Sequence, residues 1–413
     1  MGQGALRIAA VGVAAVVVAE VAVWVLSPGG DVPDPLQVSE AAYFSDTELD
    51  RAADFRGGQR QITVASLVVE GVVLGVLALW RPSPLRRALS AVSKRPIIGA
   101  AAVGAAISLT LVVTGLPLSV LSLERSRDVG LSTQTLGAWS YDVGRSAAIG
   151  AIFAGVGAAI AMGMIRRMGN RWWIGGASLV VVFAIVTSWL APVAIAPLFN
   201  DFEDLPPGPV RAGVLELGEK AGVEIGDVYE VDASRRSTAL NAYVGGLGST
   251  KQVVIYDNLL RQESLPTIRS VVAHEIGHVD GNDIWRGIGF VAIVAPLGAL
   301  FVAMTGAAIA RGRGDDPRGP AALPGIALAL AAASFVIGVA GLQLSRNVEA
   351  RADAYALELT DDPDSLMELQ RSLTVANVGD PDPPGIYSFL FATHPATVER
   401  IGAALAAARE RGG

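Results

Sequence analysis

The most prominent pattern in this chain is a series of long apolar stretches separated by shorter polar segments. A helix needs about 17–25 apolar residues to cross a bilayer, and seven stretches reach that length: about 6–26, 61–80, 97–123, 146–165, 172–196, 286–310 and 322–344. The first is too long for the apolar region of a typical signal peptide and has no clear small-x-small cleavage site before Ser27, so we expect it to be retained. The pattern predicts a mainly α, polytopic membrane protein with about seven transmembrane helices.

Composition agrees with this pattern. Of 413 residues, 52% are hydrophobic and 17% are charged, whereas soluble proteins carry about 25% charged residues. The net charge of −7 argues against a generally basic nucleic-acid binder. The chain has no cysteine, which excludes disulfides, thiolate zinc fingers, iron–sulfur clusters and a cysteine nucleophile. We therefore expect the lipid bilayer, and no nucleic acid, as a partner.

The loops between the predicted spans differ in charge, which bears on orientation. Arginine and lysine are concentrated in the loops 81–95, 166–171 and 311–320, which lie on one side of a seven-span topology. The loops on the other side are acidic or sparsely charged. The positive-inside rule places the basic loops in the cytoplasm and the polar segments 197–285 and 345–413 outside it. We therefore expect a multi-pass protein of the cell membrane. The loop charges favour an extracytoplasmic active-site face, but the side of the membrane is left open, because long polar segments count little in this rule.

Two polar segments have the composition of a soluble domain. The segment 197–285 contains three strand-like runs separated by glycine and serine, such as Gly248-Ser249, which predict a small antiparallel sheet. The predicted strands are 227–231, 240–244 and 252–256, and the predicted helices are 209–221, 266–280, 348–359 and 396–409. We expect acidic, proline-rich loops at 361–364 and 380–384. The domain plan is five transmembrane helices (1–196), half of a small α+β catalytic domain (197–285), a helical hairpin (286–344) and the other half of that domain (345–413).

One of these helices carries a metal-binding pattern, His274-Glu275-Ile276-Gly277-His278. Residues i and i+4 share a helix face, so the two imidazoles can bind one zinc ion. Glu275 lies beside them, where it can accept a proton from a water that zinc makes acidic. In a chain with this histidine and glutamate content the pattern arises by chance roughly 0.001 times. The alternative is a pair of structural histidines on a core helix.

A catalytic zinc ion needs a third protein ligand, and the candidates are His394 and several carboxylates. Glu349 and Asp353 lie one helical turn apart shortly after the last predicted span. Because two spans separate His278 from Glu349, the chain returns to the membrane face that it left. This path favours Glu349 as the ligand and Asp353 as the carboxylate that orients a ligand imidazole. The alternative for both is a solvated acidic helix face.

Two further residues are candidates for transition-state stabilisation. His394 precedes Pro395, and Arg400 follows six residues later. Either side chain can stabilise a tetrahedral oxyanion, and the alternative is a loop histidine that caps the last helix. Glu20 and Glu70 lie inside predicted spans, where a carboxylate needs either a water-filled cavity or a polar neighbour on another helix.

Taken together, these motifs resemble the type I CAAX prenyl protease family, which are integral membrane zinc metallopeptidases of the gluzincin kind. The resemblance covers at least residues 192–400 and includes the HExxH pattern between the fifth and sixth spans. The other matching motifs are Pro197–Asn200, Asn241-Ala242-Tyr243, Val254–Leu260, Ser345-Arg346 with Glu349 and Asp353, and His394-Pro395 with Glu399-Arg400.

The resemblance implies a function and a set of site residues. It implies one zinc ion on His274, His278 and Glu349, with Glu275 as general base. His394 and Arg400 would line the catalytic centre. It also implies that Asn241 lies on an edge strand that binds the substrate backbone by β-augmentation. A large chamber among the seven helices would accommodate Glu20 and Glu70. The resemblance thus implies three catalytic residues, Glu275, His394 and Arg400, and three metal ligands, His274, His278 and Glu349. Asp353 would support a ligand, and Asn241 would bind the substrate.

The function that we expect is a membrane-embedded zinc metalloendopeptidase that hydrolyses membrane-associated or C-terminal peptide substrates. One alternative is an intramembrane-cleaving protease, but Arg269, Asp280 and Asp283 flank the motif, which does not suit an apolar span. Another is a non-catalytic seven-helix scaffold, receptor or transporter with a retained zinc site, against which the intact Glu275 argues. The alanine- and glycine-rich composition looks bacterial, so a prenylated substrate is not assumed.

Overall fold

The computed structural model describes residues 2–245 and 251–412, so that the predicted Gly248-Ser249 turn lies outside the described residues. Its long apolar helices are α1 (Gln3–Leu26), α2 (Asp46–Gly75), α4 (Pro96–Asp128), α5 (Leu136–Met168), α6 (Trp172–Leu190), α10 (Asp283–Gly312) and α11 (Leu323–Thr360). A short helix, α3 (Ser83–Val92), lies between α2 and α4. The remaining helices are α7 (Pro209–Lys220), α8 (Asp257–Gln262), α9 (Leu265–Asp280), α12 (Pro363–Ala376), α13 (Gly385–Phe391) and α14 (Thr397–Gly412).

By length and composition, six segments of the described residues can cross a membrane. One of them, Leu136–Leu198, has 63 residues, and a straight helix of that length would be about 95 Å long, roughly three times the hydrocarbon thickness. The segment is instead broken at Gly169, whose φ is +56°, into α5 and α6. The described chain therefore has seven apolar helices, in agreement with the predicted number.

Close backbone contact holds neighbouring spans together. In α5, a Cβ atom added to Gly155 would lie 3.1 Å from the carbonyl oxygen of Ala101 on α4, so glycine allows the two helices to approach. On α1, Glu20 accepts a hydrogen bond of 3.1 Å from Gln343 of α11. Glu20 and Glu70 are both exposed at the surface of the protein. The chamber that was expected to accommodate them stays a prediction.

The polar segments form one domain around a four-stranded sheet. Its strands are β1 (Phe202–Asp204), β2 (Asp227–Val231), β3 (Ala242–Gly245) and β4 (Gln252–Tyr256), in the order β1-β2-β4-β3. Apolar side chains on one face of the sheet pack against α7, α9, α12 and α14, and a smaller cluster of Val231, Ala233 and Val254 lies on the other face.

The prediction of an antiparallel sheet is wrong in one pairing. Strands β1 and β2 pair antiparallel, as do β3 and β4, but β2 and β4 run parallel. The reason lies in β4, where Val253, Val254 and Ile255 are all fully buried. A strand that is apolar on both faces belongs in the interior of a sheet. Strand β4 therefore inserts between β2 and β3 and leaves β3 at the edge.

Two other predictions differ from the structure. The last span and the helix predicted at 348–359 are one continuous helix, α11, because no proline, glycine or cap interrupts Ser345–Asn347. The stretch 361–364 is not a loop throughout. Asp362 accepts a hydrogen bond of 3.0 Å from the backbone N–H of Ser365 and caps α12, with Pro363 in its first turn. The continuous α11 carries Glu349 rigidly out of the membrane-spanning bundle.

Candidate active site

The site begins with α9, which carries the HExxH pattern. Ser264 caps its first turn by accepting from the backbone N–H of Thr267. In its last turn, α9 crosses α11 so closely that a Cβ on Gly277 would lie 3.2 Å from the Cα of Ala352. Since real Cβ contacts are rarely so short, glycine at this position allows the two helices to meet. The close crossing brings His274 and His278 within reach of Glu349.

The three predicted metal ligands lie together. The Nε2 atoms of His274 and His278 are 3.2 Å apart. The Oε2 atom of Glu349 is 3.2 Å from His274 Nε2, and its Oε1 atom is 3.6 Å from His278 Nε2. Tetrahedral ligands with zinc bonds of about 2.0–2.1 Å are about 3.4 Å apart. The three side chains therefore already have the spacing of a zinc-binding set.

The environment of Glu349 also fits a cation. The residue is buried. The imidazole nitrogens of His274 and His394 lie 3.2 and 3.3 Å from its Oε2 atom, but neither is aligned as a hydrogen-bond donor to it. A buried carboxylate oxygen without an aligned donor is costly. A metal ion between the carboxylate and the two imidazoles would satisfy it.

Each ligand imidazole is held by a carboxylate on its other nitrogen. Asp353 Oδ1 lies 2.8 Å from His274 Nδ1, and Asp283 Oδ2 lies 3.0 Å from His278 Nδ1. Burial lowers the pKa of His274, but the neighbouring carboxylates of Asp353 and Glu349 outweigh it and raise the pKa to about 10. His278 Nδ1 is hydrogen-bonded to Asp283 and His274 Nδ1 lies beside Asp353, so both Nε2 atoms are directed at the shared site.

Asp283 is a site residue that the sequence analysis did not identify. In the sequence it is only one of the charges that flank the motif. Asn282, in a left-handed conformation with φ of +53°, ends the turn after α9 and directs the chain back toward His278. Arg286 then donates to Asp283 Oδ1 at 3.0 Å and to the carbonyl oxygen of Leu26. The spacing of five residues after the second histidine is the only signal in the sequence.

Glu275 lies half-buried beside the two imidazoles. Burial raises the pKa of its carboxyl group, and this effect exceeds the opposing attraction of His274 and His278. A raised pKa is what a general base working near neutral pH needs.

The edge strand β3 borders this site. The N–H of Tyr256 donates to the carbonyl oxygen of Asn241 at 3.1 Å, and hydrogen-bonded pairs alternate along an antiparallel ladder. The backbone groups of Ala242 and Val244 therefore point away from β4, toward the free edge. Asn241 itself is exposed and immediately precedes the strand rather than lying within it, which corrects its predicted position by one residue.

His394 reaches the metal site from the C-terminal segment. Its Nε2 atom is 3.3 Å from Glu349 Oε2, and 54% of the side chain is exposed. The Ser345-Arg346 pair of α11 holds the chain that carries it. Ser345 donates to the carbonyl oxygen of Thr393 at 2.8 Å, and Arg346 donates to that of Ala392 at 2.9 Å.

Arg400 has a different environment. Its guanidinium group donates two hydrogen bonds of 2.6 Å to the two carboxylate oxygens of Asp353. Arg400 is thus connected to His274 through Asp353. Its predicted contact with a reaction oxyanion stays a prediction, whereas the observed contact fixes a carboxylate that orients a ligand.

This fold and this site together define a multi-pass membrane metallopeptidase. Residues 206–408 match Peptidase family M48, and residues 29–201 match the CAAX prenyl protease N-terminal domain, with five membrane helices. A relative, the uncharacterized metalloprotease YhfN of Bacillus subtilis (strain 168), is 30% identical over 304 residues, which are 71% of this chain and 70% of YhfN. The chain belongs to the CAAX prenyl protease family of M48 metallopeptidases.

Other relatives support the same family. A CAAX prenyl protease 1 homolog of Arabidopsis thaliana is 28% identical over 70% of this chain and 70% of its own length. The probable CAAX prenyl protease 1 of Schizosaccharomyces pombe (strain 972 / ATCC 24843) is 25% identical over 66% of this chain and 58% of its own length. The crystal structure of S. mikatae Ste24p superposes with a TM-score of 0.78 at 19% identity and covers 98% of this chain and 99% of that one. The predicted family, membrane fold and peptidase class are confirmed.

Proposed function

We propose that this protein is a zinc metalloendopeptidase that hydrolyses peptide bonds in membrane-associated or C-terminal peptide substrates. The observation that carries the proposal is the mutual spacing of His274, His278 and Glu349, whose ligand atoms lie within 4.8 Å of one another. We assign one zinc ion per chain to these three side chains. Asp353 and Asp283 hold the imidazoles in the tautomer that the ion requires.

Zinc held there would polarise the scissile carbonyl and make water a nucleophile at neutral pH. Glu275 accepts a proton from the attacking water and then donates it to the leaving amine, so that the residue is regenerated. His394, whose Nε2 atom is 3.3 Å from Glu349 Oε2, would donate to the oxyanion. Arg400 acts through Asp353.

The substrate is proposed to bind as an extra strand beside β3. The outward-facing backbone of Val244 and the outward-facing carbonyl oxygen of Ala242 can pair with an extended peptide, and Asn241, which accepts from the N–H of Ala242, can bind its next polar group. Several relatives are named CAAX prenyl proteases, which supports a substrate that reaches the site by its C-terminal segment from the membrane. A prenyl group on that substrate is not part of the proposal.

The test compares the purified full-length protein with its Glu275→Gln variant. We expect about one zinc ion per chain in both proteins and peptide cleavage in the wild type only. The control is Glu358→Gln, the same chemical change on an exposed position of α11. Unimpaired cleavage by Glu275→Gln, or a purified wild-type protein without bound metal, would refute the proposal. Stoichiometric zinc without cleavage of any peptide would instead favour the non-catalytic membrane scaffold.

The physiological substrate can be sought in cells. Proteins that accumulate uncleaved in cells carrying Glu275→Gln, and not in wild-type cells, are the expected substrates. Their identity would show whether cleavage occurs near the C-terminus and whether a lipid is attached.

A further inference from the structure

A second polar cavity lies apart from the zinc site, where the membrane helices meet the catalytic domain. Its volume is about 430 Å³. Three segments line it: the beginning of α5 with the preceding loop, the chain that follows α6, and the turn at Arg235-Arg236. The loop before α5 is fixed to the domain, because the N–H of Thr133 donates to the carbonyl oxygen of Arg236 at 3.1 Å. The cavity is thus built by both parts of the protein.

Two of the three arginines that line the cavity are neutralised by carboxylates. Arg236 donates to both oxygens of Asp142, at 2.8 and 3.2 Å, and to the side-chain oxygen of Asn200 at 3.0 Å. Arg235 lies 3.3 Å from the carboxylate of Asp201. These pairs use both acidic residues of the cavity wall, so they leave no net charge.

The third arginine, Arg145, is not neutralised in this way. Among the described residues, no carboxylate side chain lies within ion-pair distance of its guanidinium group, and the residues outside that part of the chain include no aspartate or glutamate. The guanidinium lies 4.6 Å from the ring centre of Tyr141 and 5.4 Å from that of Phe199. Asp142 precedes Arg145 by three residues on the same helix, but Arg236 occupies that carboxylate. Two aromatic faces therefore hold a cation whose hydrogen-bond donors are free to bind a ligand.

The cavity lies at the predicted ends of two membrane spans. The apolar stretch of α5 begins at residue 146, directly after Arg145, and that of α6 ends at residue 196, directly before Pro197. Two independent spans thus place the cavity wall at the membrane boundary. Tyr141 is 65% exposed beside it, as is common for tyrosine at a bilayer interface.

We propose that this cavity binds the phosphate of an anionic phospholipid headgroup, with Arg145 as its principal ligand. The planar guanidinium group can bind two phosphate oxygens at once. The aromatic rings restrict its rotamers, which lowers the entropy lost on binding. The cavity is wide enough for a headgroup, and its position leaves the acyl chains in the bilayer. This inference does not depend on the proposed peptidase activity.

The test measures lipid binding to the full-length protein by native mass spectrometry. The protein is titrated with phosphatidylglycerol and, separately, with phosphatidylcholine. We expect one phosphatidylglycerol to be retained more tightly than phosphatidylcholine, and we expect Arg145→Gln to weaken that binding about 10-fold or more. Arg145→Lys, which keeps the charge but loses the planar pair of donors, should bind with intermediate affinity. The matched control is Arg166→Gln, which removes an exposed arginine at the other end of the same helix.

The outcomes separate the two sources of phosphate. If inorganic phosphate fails to displace the lipid, the ligand is a lipid headgroup, as proposed. If inorganic phosphate competes at equal concentration, the site binds free phosphate, and the lipid assignment is wrong. Equal phosphatidylglycerol affinity in wild type, Arg145→Gln and Arg166→Gln would overturn the site itself. Retained zinc binding in Arg145→Gln shows that the variant is folded.

Discussion

Asp283 gives the sharpest test of how the metal ligands are positioned. Its carboxylate lies 3.0 Å from His278 Nδ1 and is 9% exposed, and Arg286 holds its other oxygen at 3.0 Å. Replacing Asp283 by asparagine keeps the shape of the side chain but removes its charge, and one acceptor oxygen becomes an NH₂ group that can only donate. The amide can then accept from His278 or from Arg286, but its NH₂ group opposes the remaining partner. We expect Asp283→Asn to weaken zinc binding about 10- to 100-fold, or about 1.4–2.7 kcal/mol.

The assay is competition with a fluorescent zinc chelator, carried out on the purified full-length protein. Asp280→Asn is the matched control, because Asp280 belongs to the same turn, is exposed, and pairs with Arg351 rather than with a ligand. We expect this control to keep the wild-type dissociation constant. The melting temperatures of the metal-free proteins show whether folding is unchanged. If Asp283→Asn and Asp280→Asn bind zinc equally well, Asp283 does not position His278.

Three further predictions concern the supporting structure and the orientation. Arg400→Gln leaves Asp353 buried without its ion-pair partner and should lower the free energy of unfolding by about 3–5 kcal/mol, as measured by chemical denaturation. A double variant that also carries Asp353→Asn should regain part of this lost stability. Gly277→Ala places a methyl group against the backbone of α11 and should cost about 1–3 kcal/mol; an unchanged melting temperature would show that the helices can separate freely. The chain has no native cysteine, so an engineered cysteine can be labelled selectively. The positive-inside rule predicts that an impermeant maleimide labels Glu358→Cys but not Arg166→Cys in intact cells. The reverse result would place the active site in the cytoplasm.

The parts of the fold that depend on local pattern could be predicted from the sequence. The apolar stretches correspond to the seven long helices, although the observed helices extend beyond the lipid-sized core. The helix that contains His274 and His278 was predicted at 266–280 and is observed at Leu265–Asp280. Its start is set by a serine cap and a proline, which are local signals. Such features need no knowledge of distant residues.

The parts that depend on distant contacts were predicted less well. Strand β2 pairs in parallel with β4 because β4 is the strand whose two faces are both covered. Covering one of those faces requires α7, α9 and α12 to be in place. Asp283 acts through a left-handed turn at Asn282 that returns it to the ring of His278. Arg400 is six residues from His394 in sequence, yet its observed partner is Asp353 on another helix.

The amino-acid sequence by itself determined the membrane topology in outline, the two imidazoles and the adjacent carboxylate, because spacing along one helix decides which side chains share a face. It also favoured Glu349, because a pair of spans must return the chain to the same membrane surface. Only the tertiary structure decided how closely α9 and α11 cross, which carboxylate holds each imidazole, and that Arg145 faces a cavity. These features depend on packing between segments far apart in the chain, and packing distances of a few tenths of an ångström are not encoded in any local pattern.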